Sequence, residues 1–321
     1  MYNAFFSLRK SPFNLTPDPG FLFLTARHRE ALVGLSYAIL ERKGFVVLTG
    51  DAGTGKTTLL ARALQGLSAA KVQSSVISNP MLLPAEFLEL TLLSFGVAEV
   101  PASKAQRLVK LQKLLADAHR DGKISTLIID EAHLLSVELL EEIRLLGNFE
   151  YSDQKLLQVV LLGQSELNDL LERTDLRQFK QRIGLRFAIE PLSPEAVDQY
   201  IRYRWTAAGG GSDCPFSAGA VAAIGRLSHG IPRVINAVCD NVLILAFSEG
   251  VRTVSEKHVA EAAADLRLNP AAPEMAPPAV VVSPPGQPEP LRLPVLERYE
   301  NRNGANRSFF GRWADRLGLA N

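Results

Sequence analysis

The stretch from residue 44 to residue 58, GFVVLTGDAGTGKTT, constrains the fold of this chain more than any other. A run of apolar residues ends in a glycine-rich turn, and Lys56 and Thr57 then open a segment with a helical pattern. Strand, turn and helix in this order are the context in which G-x4-G-K-S/T acts as a phosphate-binding loop. The bare pattern is expected by chance in roughly one chain in a hundred of this length, so we interpret it as a nucleotide site.

Each residue type in this stretch has a chemical reason. Backbone N–H groups of the turn can surround an anion, the following helix adds its positive dipole, and glycines allow the backbone to approach closely. Lys56 can reach the β- and γ-phosphates, and the Thr57 hydroxyl can coordinate Mg²⁺. We therefore predict ATP and Mg²⁺ as cofactors, with the nucleotide bound by Gly50, Asp51, Ala52, Gly53, Thr54, Gly55, Lys56, Thr57 and Thr58.

Composition limits the alternatives. The 321 residues are 47% hydrophobic with a formal net charge of +1 at pH 7, which gives no electrostatic reason to expect a dedicated nucleic-acid binder, although a local basic patch is compatible with it. Cys214 and Cys239 form no metal-binding or C-x-x-C pattern, which favours a reducing cytoplasm. The sequence pattern predicts neither a signal peptide nor a transmembrane segment.

Apolar runs alternate with helical patterns between residues 44 and 192, and only helical patterns follow, over 193–268. Strands are predicted at 45–48, 71–78, 126–129, 157–162 and 185–189. The helices of the second region are predicted at 194–207, 217–228, 232–249 and 255–266. This alternation predicts an α/β fold of the P-loop NTPase class, with a mainly parallel five-stranded sheet and a small all-α lid domain.

Three further segments flank these two domains. Residues 1–43 contain an aromatic- and proline-rich segment and a helix capped by Thr25, and we expect both to pack on the ATPase core, with the aromatic segment near the adenine or simply against the core. Residues 269–295 are rich in proline, which predicts a disordered linker. Within 296–321, an aromatic face predicts a short amphipathic helix for a membrane surface or a partner, unless it is a frayed tail.

The strand predicted at 126–129 delivers two carboxylates, Asp130 and Glu131, at its carboxyl end. In a parallel sheet this is also the edge where the glycine-rich turn lies. Asp130 can hold Mg²⁺ through its water shell, and Glu131 can orient or deprotonate the attacking water. His133 completes the letters DEAH, but DEAH helicases need two RecA-like domains, so we interpret His133 as a neighbour that packs or relays.

Polar residues elsewhere can complete a hydrolytic site. Gln164 ends the next strand, where it can reach the γ-phosphate or the lytic water, or simply bond to backbone. One of Arg177, Arg182 and Arg186 can act as an arginine finger on the ATP of a neighbouring subunit, unless they form a solvated basic face. Arg233 begins a helix of the lid and can fold over the phosphates.

Taken together, these motifs resemble those of the AAA+ ATPases, and within them the ExeA-type ATPases of type II secretion and related envelope or exopolysaccharide-export loci. The resemblance covers about residues 1–267 and is carried by residues 1–25 and by GDAGTGKTT, LIIDEAHLL, EEIRLLGNFE, LQVVLLGQSEL and FKQRIGLRFAIEPLS. It implies AAA+ architecture, with Gln164 in the sensor-1 position, Arg182 in the arginine-finger position and Arg233 in the sensor-2 position. The predicted catalytic residues are thus Lys56, Glu131, Gln164, Arg182 and Arg233, and the predicted metal ligands are Thr57 and Asp130.

One departure from the family concerns the membrane. ExeA continues into a transmembrane helix and a periplasmic peptidoglycan-binding region, whereas here the proline-rich segment and the aromatic tail follow the lid. We therefore expect a cytoplasmic protein that meets the inner membrane peripherally or through a partner.

Three functional hypotheses follow. The first is an ATPase that forms homo-oligomers and drives or organises an envelope secretion or export assembly with a membrane-associated partner protein. The alternative is a DNA-dependent regulatory ATPase of the transposition type, which the near-neutral charge does not favour. The third is a nucleotide-gated scaffold with negligible turnover, which has no need of a water-activating carboxylate such as Glu131.

Overall fold

A five-stranded parallel sheet forms the centre of the computed structural model, which describes residues 2–16, 18–67 and 70–268. In chain order the strands are β1 (Phe45–Gly50), β2 (Val72–Ile77), β3 (Ile124–Ile129), β4 (Glu150–Tyr151), β5 (Gln154–Lys155), β6 (Leu157–Gly163) and β7 (Ile183–Ile189). Strands β4 and β5 form a separate antiparallel hairpin, and the order across the main sheet is β2-β3-β6-β1-β7. Each neighbouring pair of the main sheet is parallel, which confirms the predicted sheet.

Helices cover both faces of the sheet and then form a separate group. They are α1 (Tyr2–Phe5), α2 (Ala26–Leu40), α3 (Lys56–Gly66), α4 (Pro84–Ser94), α5 (Lys104–Arg120), α6 (Val137–Leu146), α7 (Glu166–Leu171), α8 (Arg177–Lys180), α9 (Pro194–Ala207), α10 (Ala218–Ser228), α11 (Pro232–Ser248) and α12 (Glu256–Asp265). The side chains of Thr25, Ser136, Ser193 and Ser217 accept backbone hydrogen bonds at four helix starts. The short elements α1, α7, α8 and the hairpin were not predicted, because a few residues show no clear periodicity.

The central strands are buried on both faces, which explains their unbroken apolar runs. On one face, Val46 and Leu48 pack with α2 and α3. On the other face, Val47 packs with residues of α4, α5 and α6 such as Leu88 and Ile143. The strand ends are therefore held in place by two independent apolar layers.

The aromatic N-terminal segment packs mainly on the helical lid (α9–α12), whereas we predicted that this part of residues 1–43 packs on the ATPase core. Only its end, the one-turn helix Pro19–Phe21, also contacts α3 of the core. Phe6 and Phe13 belong to the same apolar cluster as Trp205 of α9 and Val242 of α11. The physical reason is that helices already cover both faces of the sheet, whereas the lid helices leave an apolar surface open. Helix α2, in contrast, packs on the sheet as expected.

Polar contacts hold the same segment on the lid. The backbone N–H of Arg9 donates to the Ala208 carbonyl at 2.8 Å, and the Tyr2 hydroxyl donates to Asp240. Arg204, only 7% exposed, donates from Nε to the Pro12 carbonyl at 2.5 Å. The Arg204 guanidinium also lies 4.9 Å from the centre of the Phe21 ring. Residues 2–16 and 18–21 thus form a strap, a name we keep below, that connects the lid to α2 and the core.

Some sequence predictions fall outside this description. The linker at 269–295 and the tail at 296–321 lie outside the described residues. Among the residues that are described, no helix combines the length and the apolar character needed to cross a bilayer.

Replacing Arg204 by Met should destabilise the protein by about 1–3 kcal/mol, because the Pro12 carbonyl and the Tyr200 hydroxyl lose their charged donor. Urea unfolding measures the free energy of unfolding, and limited proteolysis reports release of the strap. The control is Arg202→Met on the same helix, whose exposed ion pair with Asp198 should contribute less than about 1 kcal/mol. Equal effects of the two variants would contradict the role of Arg204.

Candidate nucleotide-binding site

A cavity of about 330 Å³ lies where the glycine-rich turn, the carboxyl end of β3, the lid and the strap meet. Its wall combines the turn between β1 and α3 with Asp130 and Glu131 from the sheet and Arg233 from the start of α11. The opposite wall is formed by strap residues and by lid side chains that include Tyr200, Arg204 and Asn236. Four segments that are distant in sequence therefore surround one space.

The turn has the backbone geometry of an anion cradle. Gly53 and Gly55 adopt φ values of 83° and 98°, a region that side chains other than glycine rarely occupy. A Cβ atom added at Gly53 would lie 2.6 Å from Cβ of Arg233, so glycine is also needed for the lid to approach. The Thr54 hydroxyl braces the turn by donating to the Asp51 carbonyl at 2.9 Å.

Lys56 lies inside the turn and is 8% exposed. Its ammonium group donates to the carbonyls of Gly50 at 2.7 Å and Asp51 at 3.0 Å. Burial lowers the pKa of Lys56, and the nearby carboxylates, Glu131 and Asp130 foremost, oppose that shift. Burial disfavours the charged form of a lysine, and a nearby negative charge offsets that cost. The buried ammonium group of Lys56 beside an open cavity therefore favours an anionic ligand such as a phosphate.

Thr57 and Asp130 provide two hard oxygen donors at the sheet edge. The Thr57 hydroxyl donates to Oδ2 of Asp130 at 3.1 Å, while Oδ1 accepts the Glu131 backbone N–H at 2.9 Å. Within the described ranges, no group of three or more His, Cys, Asp or Glu side chains is arranged to hold a metal ion. This donor set fits Mg²⁺, which usually takes one or two protein ligands and completes its shell with water and phosphate.

Glu131 projects from a sharp turn that directly follows Asp130. Its φ and ψ of 53° and 36° are left-handed, and its side chain is 48% exposed. Oε2 of Glu131 lies 3.5 Å from Nδ1 of His133, and Nε2 of His133 lies 3.3 Å from the side-chain amide of Gln164. The imidazole therefore lies between the two residues to which the sequence gives hydrolytic roles, a contact that the sequence analysis missed.

Arg233 lies where the lid contacts the glycine-rich turn. Its backbone N–H donates to the Gly53 carbonyl at 3.2 Å, and its side chain lines the cavity in an exposed position. The guanidinium is therefore free to reach a ligand without leaving a buried partner behind.

The three candidate finger arginines lie away from this cavity and do not line it. Arg182 donates to the Arg144 carbonyl at 3.1 Å and to Oδ1 of Asn148 at 2.5 Å. Arg186 forms a loose ion pair with Glu172 at 3.7 Å. None of them therefore contributes to the wall of this cavity.

Lid residues in the wall, and His28 of α2, also escaped sequence analysis, whereas a position near the nucleotide was one of the two expected for the aromatic segment. The buried His28 ring contacts the Thr25 hydroxyl at 2.7 Å through Nδ1, and burial lowers its pKa. Arg204 and Asn236 reach the site through the lid packing. These residues carry no local motif, since only tertiary structure places them beside the glycine-rich turn.

Comparisons with known proteins agree with this geometry. The family described as an AAA domain matches residues 39–171. General secretion pathway protein A of Aeromonas hydrophila is 41% identical over 271 residues, which are 82% of this chain and 48% of that protein. The chain therefore spans about half the length of this curated relative.

Solved structures share the fold at lower identity. Drosophila ORC bound to DNA superposes with a TM-score of 0.62 at 21% identity, covering 81% of this chain and 65% of that one. Cdc6p from Pyrobaculum aerophilum gives a TM-score of 0.60 at 16% identity, covering 78% of this chain and 71% of that one. These likenesses establish the fold. The family follows from the higher identity to General secretion pathway protein A: the part of the chain that is shared with this relative is an AAA+ ATPase domain of the ExeA type.

Proposed function

We propose that this protein binds ATP with Mg²⁺ in the cavity between sheet and lid and hydrolyses it, as a subunit of a homo-oligomer that organises or drives an envelope secretion assembly. The observation that carries the proposal is the convergence on one cavity of the glycine-rich turn, Asp130, Glu131 and Arg233. The identity to General secretion pathway protein A supports the assignment to secretion. The cytoplasmic side of the inner membrane, next to a membrane-associated partner, is the location that we propose with it.

In the proposed reaction the glycine-rich turn holds the phosphates. Backbone N–H groups between Gly50 and Thr58 and the dipole of α3 would stabilise their charge, and Lys56 would contact the β- and γ-phosphates. Thr57 and Asp130 would hold Mg²⁺, which supplies charge neutralisation on the phosphate oxygens when bound. The half-exposed carboxylate of Glu131 would orient the water and accept its proton, and Gln164 would hydrogen-bond the γ-phosphate or the same water.

Arg233 links the nucleotide to the lid in this proposal. It begins α11, and its backbone already contacts the Gly53 carbonyl. A guanidinium that binds the γ-phosphate of ATP loses that contact after hydrolysis, so the lid would respond to the state of the nucleotide. The strap would follow the lid, because its apolar side chains belong to the lid cluster.

The test of the proposed role is steady-state ATP hydrolysis, with and without duplex DNA at low salt, with Lys56→Ala as the blank. We expect Mg²⁺-dependent hydrolysis that DNA leaves unchanged. Strong stimulation by DNA, removed by added salt, would instead favour the DNA-dependent regulatory ATPase. Equal turnover by wild type and Lys56→Ala would remove the glycine-rich turn from the site.

Glu131→Gln should bind ATP with unchanged affinity and hydrolyse it at least ~100-fold more slowly, because the amide cannot accept the proton of the water. Equilibrium binding of a fluorescent ATP analogue and single-turnover hydrolysis measure the two effects separately. Glu138→Gln, at the start of α6 and outside the cavity wall, is the control. A wild-type rate in Glu131→Gln would assign the general base elsewhere.

Arg182→Ala should lower turnover on the order of 10³-fold, the scale of a lost arginine finger, without weakening ATP binding. If Arg182 acts on a neighbour, mixing Arg182→Ala with Glu131→Gln subunits should restore part of the activity, since each supplies what the other lacks. The same experiment with Arg177→Ala and Arg186→Ala identifies the finger among the three. No recovery in any mixture would contradict action between subunits.

A further inference from the structure

We propose that His133 is a positioning residue that couples Glu131, the proposed general base, to Gln164 at the end of β6. This inference rests on the proposed ATPase function. The imidazole is 12% exposed and lies 3.5 Å from Oε2 of Glu131 and 3.3 Å from the Gln164 side-chain amide. Among the described residues, it is the one Lys, Arg or His side chain with a nitrogen within 4 Å of the Glu131 carboxylate.

The local fold holds His133 in this position without help from its ring. His133 lies in the one-turn helix Ala132–Leu134, which begins two residues after the end of β3. Ala132 and Leu135 are buried at 0% and 4% exposure and anchor that turn in the core. A Cβ atom added at Gly163 would lie 3.2 Å from the His133 backbone nitrogen, so the glycine that ends β6 lets the turn lie against it. The imidazole is therefore available for a task other than packing.

The chemistry of a neutral imidazole gives it two alternative networks, because it carries one ring proton. With the proton on Nδ1, the ring can donate to Glu131 while Nε2 accepts from the Gln164 amide. With the proton on Nε2, the ring can donate to the Gln164 side-chain oxygen after the amide group has rotated by 180°. In this network Nδ1 can accept the Gln164 backbone N–H, 3.4 Å away. Only the first network holds the carboxylate of Glu131.

These separations are longer than ordinary hydrogen bonds, as is common for catalytic contacts before the substrate is bound. A γ-phosphate that draws in the Gln164 side chain would orient the amide and thereby the ring proton. His133 would then hold Glu131 more firmly when ATP occupies the cavity. The carboxylate of Glu131 would thus be in position when water can attack a bound γ-phosphate. Without the nucleotide it would be less constrained.

The test is the kinetics of full-length His133→Ala, with Leu134→Ala as the matched control from the same turn, 47% exposed. We expect His133→Ala to lower kcat by about 10-fold to 100-fold, the scale of a misplaced catalytic group. KM and the binding of a non-hydrolysable ATP analogue should stay within about 2-fold, and the melting temperature should match that of Leu134→Ala. His133→Asn, whose amide can replace Nδ1, should recover part of kcat.

Double variants show through which residues His133 acts. Adding His133→Ala to Glu131→Gln, or to Gln164→Ala, should slow hydrolysis no further than the slower single variant does, because one coupled unit is already broken. Multiplicative losses would overturn the coupling. If His133→Ala does not fold, His133→Asn and His133→Gln, each combined with Gln164→Ala, test the same coupling.

The inference and the function fail differently. A wild-type chain that binds no ATP, or never hydrolyses it, would overturn the proposed function and this inference with it. A wild-type ATPase with an unchanged kcat in His133→Ala, or with a loss confined to KM and analogue binding, would overturn the inference alone.

Discussion

Parallel strand pairing is the constraint on which the rest of this structure depends. In a parallel sheet every strand ends at the same edge, so β1 delivers Gly50, β3 delivers Asp130 and β6 delivers Gly163 and Gln164 to one place. The register is specific: Val47 pairs with Leu161, which also pairs with Ile129. The unbroken apolar runs of these strands fix that register through burial on both faces, and the polar residues just beyond the strand ends become neighbours as a consequence.

The second constraint is the contact between the lid and the glycine-rich turn. Because Gly53 has no side chain, the start of α11 can approach the turn closely. The Gly53 carbonyl therefore accepts the Arg233 backbone N–H at 3.2 Å. Arg204 draws the strap onto the same lid through the Pro12 carbonyl. The cavity is therefore closed on one side by a fixed sheet edge and on the other by an assembly of lid and strap. A change in the nucleotide that moves Arg233 would move the lid, of which Arg233 is part. The strap would move with it, because lid and strap side chains pack in one apolar cluster.

How much of this could be predicted from the sequence depends on how local the signal is. The sheet, the lid helices and the convergence of Lys56, Thr57 and Asp130 follow from residues that lie next to one another in sequence or at regular spacing. The packing of most of the strap on the lid was missed, because an aromatic, proline-rich segment has no periodicity to indicate which surface it covers. His133 was interpreted as a neighbour because its two contacts come from the ends of separate strands, β3 and β6, which are brought together by their pairing in the sheet and by the absence of a side chain at Gly163.

The position of Arg182 leads to the question of assembly. Its guanidinium is bound to the end of α6 through the Arg144 carbonyl and Asn148, and the cavity of the same chain is lined without it. Both of these bonds are donated by Nη1, so the guanidinium retains further N–H donors, which in the proposed assembly would be available to the phosphates of an adjacent copy. Glu131, the proposed general base, is half-exposed, and closing the site over it would exclude bulk water and strengthen its electrostatic interactions. A neighbouring subunit would cover that base and supply the missing charge in a single step, so that oligomerisation, not nucleotide binding alone, would complete the site.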